Sequence, residues 1–304
     1  MKRFSLLPRC LLCAILLLAG CSPRRIALDW VSTAITTGAG GVFASDNDPQ
    51  FVGAALPFTI KSLETLAAQR PTDARLLGAT AQLLTLYAVA FIQMPADTLT
   101  DPVRRREEYE RARSLLRRGR DYGLRALAVH HPGIDTLVLR GSIDSAAALL
   151  GPADTTALYW TGAAWAAELT TGQPGLRSLF AFPRIRTLME RMLELNPSFD
   201  EGSVHDFFIS FYTVAPRSLG GDTARARFHF EQSLHLSQGT RAAPYVTWAH
   251  RACVRYGDRA GFAAALQEAL AIPVDRSTPQ RLSNMIHQEY ARWLLRNEAA
   301  LFNG

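Results

Sequence analysis

The stretch LPFTIKSLETLAAQR, from Leu56 to Arg70, decides the fold class because its apolar residues recur at helical spacing. Residues three or four positions apart lie on one face of an α-helix. The residues that share this face are Leu56, Ile60, Leu63 and Leu66. Pro71 ends the run, and Asp73 then stands where it can cap a second helix that continues to about Met94. The two segments therefore predict a pair of helices joined by a tight turn.

The rest of the chain carries the same pattern. Helix-forming Ala, Leu and Arg are abundant, and the alternating runs typical of strands hardly occur. Apolar periodicity and turn residues predict further helices over 103–130, 135–150, 155–169, 182–195, 200–214, 223–236, 243–256, 259–271 and 278–301. Several of these helices end in a small apolar pair followed by a proline, as in tetratricopeptide repeats (TPRs), whose period is ~34 residues. The intervals here are irregular. We therefore expect an all-α, TPR-like helical array, that is, an α-solenoid or superhelical bundle of antiparallel helix pairs. A generic helical bundle is the alternative, because it would show the same apolar faces.

The N-terminus has the pattern of an exported lipoprotein. Basic residues precede a short apolar run over 11–18, and the sequence Leu-Ala-Gly-Cys follows at 18–21. The apolar run is shorter than the ~20 residues that a membrane-spanning helix needs. We therefore expect residues 1–20 to be a lipoprotein signal peptide and Cys21 to be the lipidated residue. An ordinary secretory signal that happens to contain a cysteine is the alternative.

Cleavage would leave residues 21–41 as a lipidated lead-in segment and 42–304 as the all-helical domain. No later stretch of the sequence has the pattern of a transmembrane helix, so we expect a periplasmic body tied to a membrane by its lipid. Ser22, rather than an aspartate, follows the cysteine, which favours the outer membrane over the inner one. Of the four cysteines only Cys253 would remain free in the folded body, so no intrachain disulfide is expected.

Charge gives little support for a nucleic-acid partner. Lys and Arg total 33 and Asp and Glu total 27, a formal charge of +6, and removal of Lys2, Arg3 and Arg9 leaves +3. The arginine-rich run over 104–125 is interleaved with acidic residues, which is typical of a solvated helix face. We expect no nucleic-acid binding.

Motifs of catalysis and metal binding are missing from the sequence: it contains no G-x-S-x-G, Walker loop or H-E-x-x-H. Asp46 and Asp48 are spaced like calcium ligands, but the loop lacks the glycine and terminal glutamate of an EF-hand. Asp48 as a helix cap before Pro49 explains the same residues. His229 and His235 are expected on different faces of their helix, so they predict no zinc pair. We therefore expect a protein that is not an enzyme and has no cofactor or metal site, although folding could assemble a polar cluster that the sequence does not reveal.

Two aromatic segments are candidates for a ligand site. In the segment 158–165, large aromatic residues stand among very small ones, which lets helices approach closely while leaving aromatic walls. In the segment 204–214, aromatic residues surround the helix, so this helix is either buried or lines an apolar cavity. Packed core is the plain interpretation of both segments. The candidate cavity residues are Tyr159, Trp160, Trp165, Phe207, Phe211 and Tyr212.

The turn after the second aromatic segment adds a further candidate. Pro216 is expected to end the helix, the Gly220-Gly221 pair to permit a tight turn, and Asp222 to cap the next helix. Arg217 in this turn is a candidate contact for an anionic ligand, although an exposed turn arginine explains it equally well.

Several motifs, taken in order, resemble those of the TatT family, the T component associated with tripartite ATP-independent periplasmic (TRAP) transporters. The resemblance covers nearly the whole mature chain. The motifs are VFASDNDP at 42–49, ALPF at 55–58, LETL at 63–66, YWTGAAW at 159–165, APRSLGGD at 215–222, RLSN at 281–284 and ARWLL at 291–295.

The resemblance implies a non-enzymatic periplasmic lipoprotein whose TPR-like helices surround a pore or a hydrophobic cleft and which assembles as a homotrimer. It implies a partner, the periplasmic solute-receptor protein of a TRAP system, and a small apolar or carboxylate ligand. The family supplies no catalytic residues. The alternative function is a structural TPR-like scaffold that assembles envelope proteins with no ligand passing through.

Overall fold

The computed structural model describes residues 39–172, 177–215, 217–276 and 278–303. Helices and turns account for this part of the chain, and it contains no strand. This confirms the prediction of an all-α array of packed helices. The predicted signal peptide, residues 1–20, and Cys21 lie outside the described residues.

The N-terminal half begins with a short helix and then combines long and short ones. Its α-helices are α1 (Ala39–Ala44), α2 (Pro49–Gln69), α3 (Ala74–Ala88), α4 (Met94–Asp97), α5 (Pro102–His130), α6 (Ile134–Leu139), α7 (Ile143–Leu149) and α8 (Thr155–Thr170). A π-helix, Val89–Gln93, joins α3 to α4, and a 3-10 turn, Pro152–Asp154, leads into α8.

The C-terminal half continues the array. Its α-helices are α9 (Arg177–Leu195), α10 (Ser203–Val214), α11 (Thr223–Leu236), α12 (Ala242–Thr247), α13 (Val254–Tyr256), α14 (Arg259–Ala271), α15 (Arg281–Arg296) and α16 (Glu298–Phe302). Two 3-10 turns, Phe199–Gly202 and Arg217–Leu219, flank α10, and a second π-helix, Trp248–Cys253, joins α12 to α13.

Aspartate caps explain where many helices begin. In each case the side chain accepts a hydrogen bond from a backbone N–H of the first turn, which is worth ~1 kcal/mol. The capping residues are Asp48, Asp73, Asp101, Asp222 and Asp258. The predicted caps at Asp48, Asp73 and Asp222 are confirmed, and Asp48 Oδ1 lies 2.9 Å from the backbone nitrogen of Phe51.

The single helix predicted over 135–150 is wrong, because the chain forms two helices there, α6 and α7. Ser142 caps α7 by accepting from the backbone N–H of Ser145 at 3.2 Å. The guanidinium of Arg184, on α9, donates to backbone carbonyls at the end of α6 and in the loop after it, at 2.7 to 2.8 Å. The break therefore depends on a side chain more than 40 positions away, which periodicity does not reveal.

Two hydrophobic cores lie side by side. The smaller one is formed mainly by α2 and α3. It includes the predicted apolar face of α2, and Leu63 and Leu84 are fully buried in it. The larger one runs from α5 through α8, α9 and α10 to α15. Small residues permit the closest contacts in it: a Cβ on Gly123 would overlap with Thr161, and a Cβ on Gly162 would overlap with Met189. This confirms that small residues on α8 let neighbouring helices approach closely.

One segment, Ala74–Asp97, is long and apolar enough to cross a membrane by length and composition. It comprises α3, the first π-helix and α4, and α3 packs against α2, α5 and α8. Because 61% of its apolar window is buried inside the protein, it has the character of a core helix.

Candidate functional site

The aromatic residues predicted on the first segment lie on α8 and point into the larger core. Tyr159, Trp160 and Trp165 are between 6% and 9% exposed. Tyr159 packs against Phe199 with 4.8 Å between ring centroids, and its hydroxyl donates to the backbone carbonyl of Ser203 at 3.4 Å. Burial is the main reason why the pKa of the Tyr159 hydroxyl is raised. These side chains fix α8 against the start of α10.

The aromatic residues of the second segment lie on α10 and form one continuous cluster. Phe211 stacks on Phe207 at 5.8 Å and meets the edge of Phe182 at 6.0 Å. Tyr212 stacks on Phe208 at 5.5 Å. Both aromatic segments therefore belong to the same hydrophobic core.

A cavity of about 450 Å³ opens at the C-terminal end of α10. Of the seven candidate contact residues, Tyr212 and Arg217 line it, whereas the other five are not among its lining residues. Its remaining walls come from the end of α10, the following loop, the first turn of α11 and α13. The additional side chains that matter most are Ala215, Asp222, Arg255 and Tyr256.

The loop from 215 to 222 is held against α10 by local hydrogen bonds. The backbone N–H of Asp222 donates to the carbonyl of Tyr212 at 2.9 Å, so the loop returns to the helix that it leaves. Gly220 has a φ of 96°, a left-handed conformation that glycine adopts without strain, and this confirms the predicted turn. Pro216, which was expected to end α10, lies outside the described residues. Asp222 Oδ1 accepts from the N–H groups of Ala224 and Arg225, at 2.9 and 3.1 Å.

The cavity is rich in positive charge. Arg225 donates to the hydroxyl oxygen of Tyr212 at 3.3 Å, and its Nε lies 3.8 Å from Asp222 Oδ2. Arg217 and Arg255 also line the cavity, and neither has an acidic partner within 4 Å among the described residues. Sequence reasoning missed Arg255, because it lies 38 positions beyond Arg217 and comes near it only through the packing of α13.

A pair of buried histidines lies behind Tyr212, and the sequence interpretation missed it as well. His205 Nδ1 and His229 Nδ1 are 2.9 Å apart. The ring of His229 stacks on Phe208 at 4.7 Å and on Tyr212 at 5.6 Å. Burial, together with the neighbouring His205, lowers the pKa of His229 to about 4, and burial also lowers the pKa of His205. Both rings are therefore neutral at pH 7.

A buried ion pair anchors the N-terminal end of α10. Arg241 donates to Asp206 Oδ2 at 2.5 Å and to Ser203 Oγ at 2.9 Å, and Ser233 donates to Asp206 Oδ1 at 2.6 Å. The pair joins α10, α11 and the start of α12, so it positions the helix that carries Tyr212. Within the described residues, no group of three or more His, Cys, Asp or Glu is placed to hold a metal ion.

Comparison with known proteins agrees with the architecture. The family described as TRAP transporter T-component matches residues 45–302. An uncharacterized protein of Treponema pallidum (strain Nichols) is 31% identical over 303 residues, with 94% of this chain and 92% of that protein covered. Because the family match spans most of the chain and the relative aligns over nearly its whole length, the chain belongs to the TRAP transporter T-component (TatT) family.

Proposed function

We propose that this chain is a lipid-anchored periplasmic accessory protein that docks the solute-receptor protein of a TRAP system and passes on a small apolar or carboxylate ligand. Family membership gives the coarser statement, a role in a TRAP transport system. Docking, ligand passage, the lipid anchor, the TPR-like character of the repeats and assembly as a homotrimer belong to the proposal.

The observation that carries the ligand part of the proposal is the cavity at the end of α10. Its lining is more polar than apolar, and it places two arginines that have no acidic partner among the described residues beside the rings of Tyr212 and Tyr256. Ligand sites are typically concave, with a few polar groups that fix the orientation of the ligand. The cavity therefore supports contact with a small molecule that has both an apolar part and a negative charge.

The anchor part of the proposal rests on the sequence at 18–21 and on the length of chain that follows it. Only 17 residues, 22–38, separate Cys21 from Ala39, the first residue of α1. Even fully extended, such a segment spans no more than ~65 Å. A lipid on Cys21 would thus keep the helical domain near the membrane surface, which suits a docking protein better than a freely diffusing carrier.

Cross-linking in intact cells tests the docking. A tagged copy of the full chain should recover a periplasmic solute-receptor protein after cross-linking and membrane extraction, and recovery of no such receptor would contradict the proposal. The matched control is Cys21→Ser, which should move the protein from the membrane fraction to the soluble periplasmic fraction. Mass spectrometry of the parent protein should show a diacylglyceryl group on Cys21, and an unmodified cysteine would remove the anchor from the proposal.

The packing of α8 and α10 favours the second candidate function, a structural scaffold for envelope proteins without ligand passage. Trp160 and Phe211 are buried in the core, so a charge at either position is expected to unfold the protein under both functions. Substitutions at Arg217 and Arg255 separate the two functions, because these side chains are exposed and make no ion pair with described residues. A scaffold should keep its function in the double variant Arg217→Ala, Arg255→Ala, whereas ligand passage should be lost.

A further inference from the structure

We propose that the cavity at the end of α10 binds an organic oxyanion, with Arg217 and Arg255 holding the negatively charged head and the aromatic wall contacting the apolar body. This proposal deepens the proposed function and rests on it for the biological use of the ligand. The binding itself depends only on the cavity and can be measured with the purified protein.

The charge balance of the cavity calls for an anion. Arg217 and Arg255 line it, and Asp222 is the acidic residue among its described lining residues. The carboxylate of Asp222 is already engaged, since it caps α11 and lies beside Arg225. The positive charges of Arg217 and Arg255 remain without an acidic partner among the described residues. Guanidinium groups bind carboxylate, sulfonate and phosphate in a planar, two-point geometry, so an oxyanion fits them well.

Tyr212 supplies a further polar group at the cavity wall. Its side chain is 4% exposed and lines the cavity. The hydroxyl oxygen accepts a hydrogen bond from Arg225 at 3.3 Å, so the hydroxyl hydrogen is available for a second partner. A phenolic hydroxyl both accepts and donates, so it can donate to an oxygen of an anion held by the arginines.

The shape and walls of the cavity favour an organic anion over a bare inorganic ion. A volume of about 450 Å³ lies within the range of ~300–1,000 Å³ that small-molecule sites occupy. The lining is more polar than apolar, and its aromatic surface comes from the ring of Tyr212 on one side and the half-exposed ring of Tyr256 on another. An aromatic or aliphatic carboxylate would cover these surfaces while its head meets the arginines.

Calorimetric titration of the full chain in detergent, at constant ionic strength, tests the proposal with three probes. Benzoate has an apolar body and a carboxylate, benzamide has the same body without charge, and sulfate has charge without an apolar body. Benzoate should bind saturably at one site per chain, and benzamide should bind at least about tenfold more weakly. Arg217→Ala and Arg255→Ala should each weaken benzoate binding about tenfold, which corresponds to about 1.4 kcal/mol. Tyr212→Phe should weaken it by a smaller factor and leave the benzamide titration unchanged.

Arg140→Ala is the matched control, because Arg140 is an exposed arginine on the loop after α6, away from the cavity. It should bind benzoate like the parent protein, and all variants should keep the parent melting temperature. Three results would overturn the proposal: equal binding of benzoate and benzamide, binding of sulfate without benzoate, or undiminished benzoate binding in the double variant. Absence of benzoate binding at millimolar concentration would also overturn it.

The outcome is distinguishable from failure of the proposed function. If cross-linking in cells recovers a solute receptor but the purified protein does not bind benzoate, the docking proposal is supported and the anion site is rejected. If benzoate binds with the expected dependence on Arg217 and Arg255 but no receptor is recovered, the anion site is supported and the proposed docking of a TRAP receptor is rejected.

Discussion

The hydroxyl of Tyr290 donates a hydrogen bond to Asp97 Oδ2 at 2.9 Å, across 193 positions of the sequence. The other oxygen of the same carboxylate accepts from the hydroxyl of Tyr109 at 2.6 Å. Burial raises the pKa of Asp97, while the two tyrosine hydroxyls favour its charged form. The carboxylate thus ties α15, at the C-terminal end of the chain, to α4 and α5 in the N-terminal half.

Removing one of these donors should destabilise the fold. In Tyr290→Phe, Asp97 keeps one tyrosine donor and loses the other in a buried environment, which should lower the free energy of unfolding by about 1 to 3 kcal/mol. Urea denaturation followed by circular dichroism measures the change. Tyr256→Phe is the control, because Tyr256 is 48% exposed and should change stability by less than about 0.5 kcal/mol. Equal effects of the two substitutions would show that the Asp97 contact adds nothing.

The buried histidine pair should make the protein sensitive to mild acid. The pKa of His229 is about 4 in the folded protein, below its ordinary value of 6.5, so the unfolded chain binds more protons between these pH values. Stability should therefore be complete above about pH 6.5 and should fall as the pH drops towards 4, by up to about 1.4 kcal/mol per pH unit for this one proton.

Comparison of His229→Gln with His235→Gln at pH 7.5, 6 and 5 isolates this contribution, since His235 is exposed. His229→Gln should flatten the dependence of the unfolding free energy on pH, whereas His235→Gln should leave the slope unchanged. Identical slopes for the two variants would assign the acid sensitivity to other groups, among them the partly buried His250, whose pKa is also lowered by burial.

Two glycines should respond to alanine in opposite directions. A Cβ on Gly123 would overlap with the Thr161 hydroxyl and lie 3.2 Å from Thr161 Cα, so Gly123→Ala should force α5 and α8 apart and cost about 1 to 3 kcal/mol. A Cβ on Gly78 would meet nothing within 4 Å, and this glycine lies inside α3. Gly78→Ala should stabilise the protein by about 0.5 to 1 kcal/mol because alanine favours the helix. Thermal unfolding should show the two melting temperatures on opposite sides of the parent value.

Loss of the buried ion pair should cost far more than loss of an exposed one. Arg241→Met leaves Asp206 without its guanidinium in a nearly buried position, and breaking such a pair costs about 3 to 5 kcal/mol. Arg292→Met removes an exposed pair with Glu289 on α15 and should cost less than about 1 kcal/mol. Urea midpoints of the two variants measure the difference, and a loss below 1 kcal/mol in Arg241→Met would contradict the structural role given to this residue.

The sequence predicted the helices well because their signals are local. Asp48 and Asp73 sit directly before the helices that they cap, and the helices over 223–236 and 259–271 begin and end where their turn residues indicate. The break between α6 and α7 could not be predicted, because Arg184 comes from a distant helix. The two π-helices also escaped prediction, since periodicity does not distinguish them from an α-helix.

The candidate site was predicted only in part, and the reason is its dependence on tertiary packing. Tyr212 and Arg217 could be proposed because they stand in a recognisable aromatic helix and turn. The position of Arg255 at the cavity and the contact of His205 with His229 depend on the packing of separate helices. The spacing of these residues along the sequence does not predict either of them. Trp160 and Phe211 illustrate the opposite difficulty, because a core residue and a cavity residue have the same pattern until the fold is known.

Asp222 belongs to two structures at once, the start of α11 and the wall of the cavity. A substitution of Asp222 would therefore change the wall of the cavity and remove the cap of α11 at the same time. Arg217 and Arg255 also line the cavity, but neither caps a helix or forms an ion pair with the described residues. If the cavity binds the proposed anion, substitutions at these two arginines would change its affinity for the anion while the helices around it stay intact.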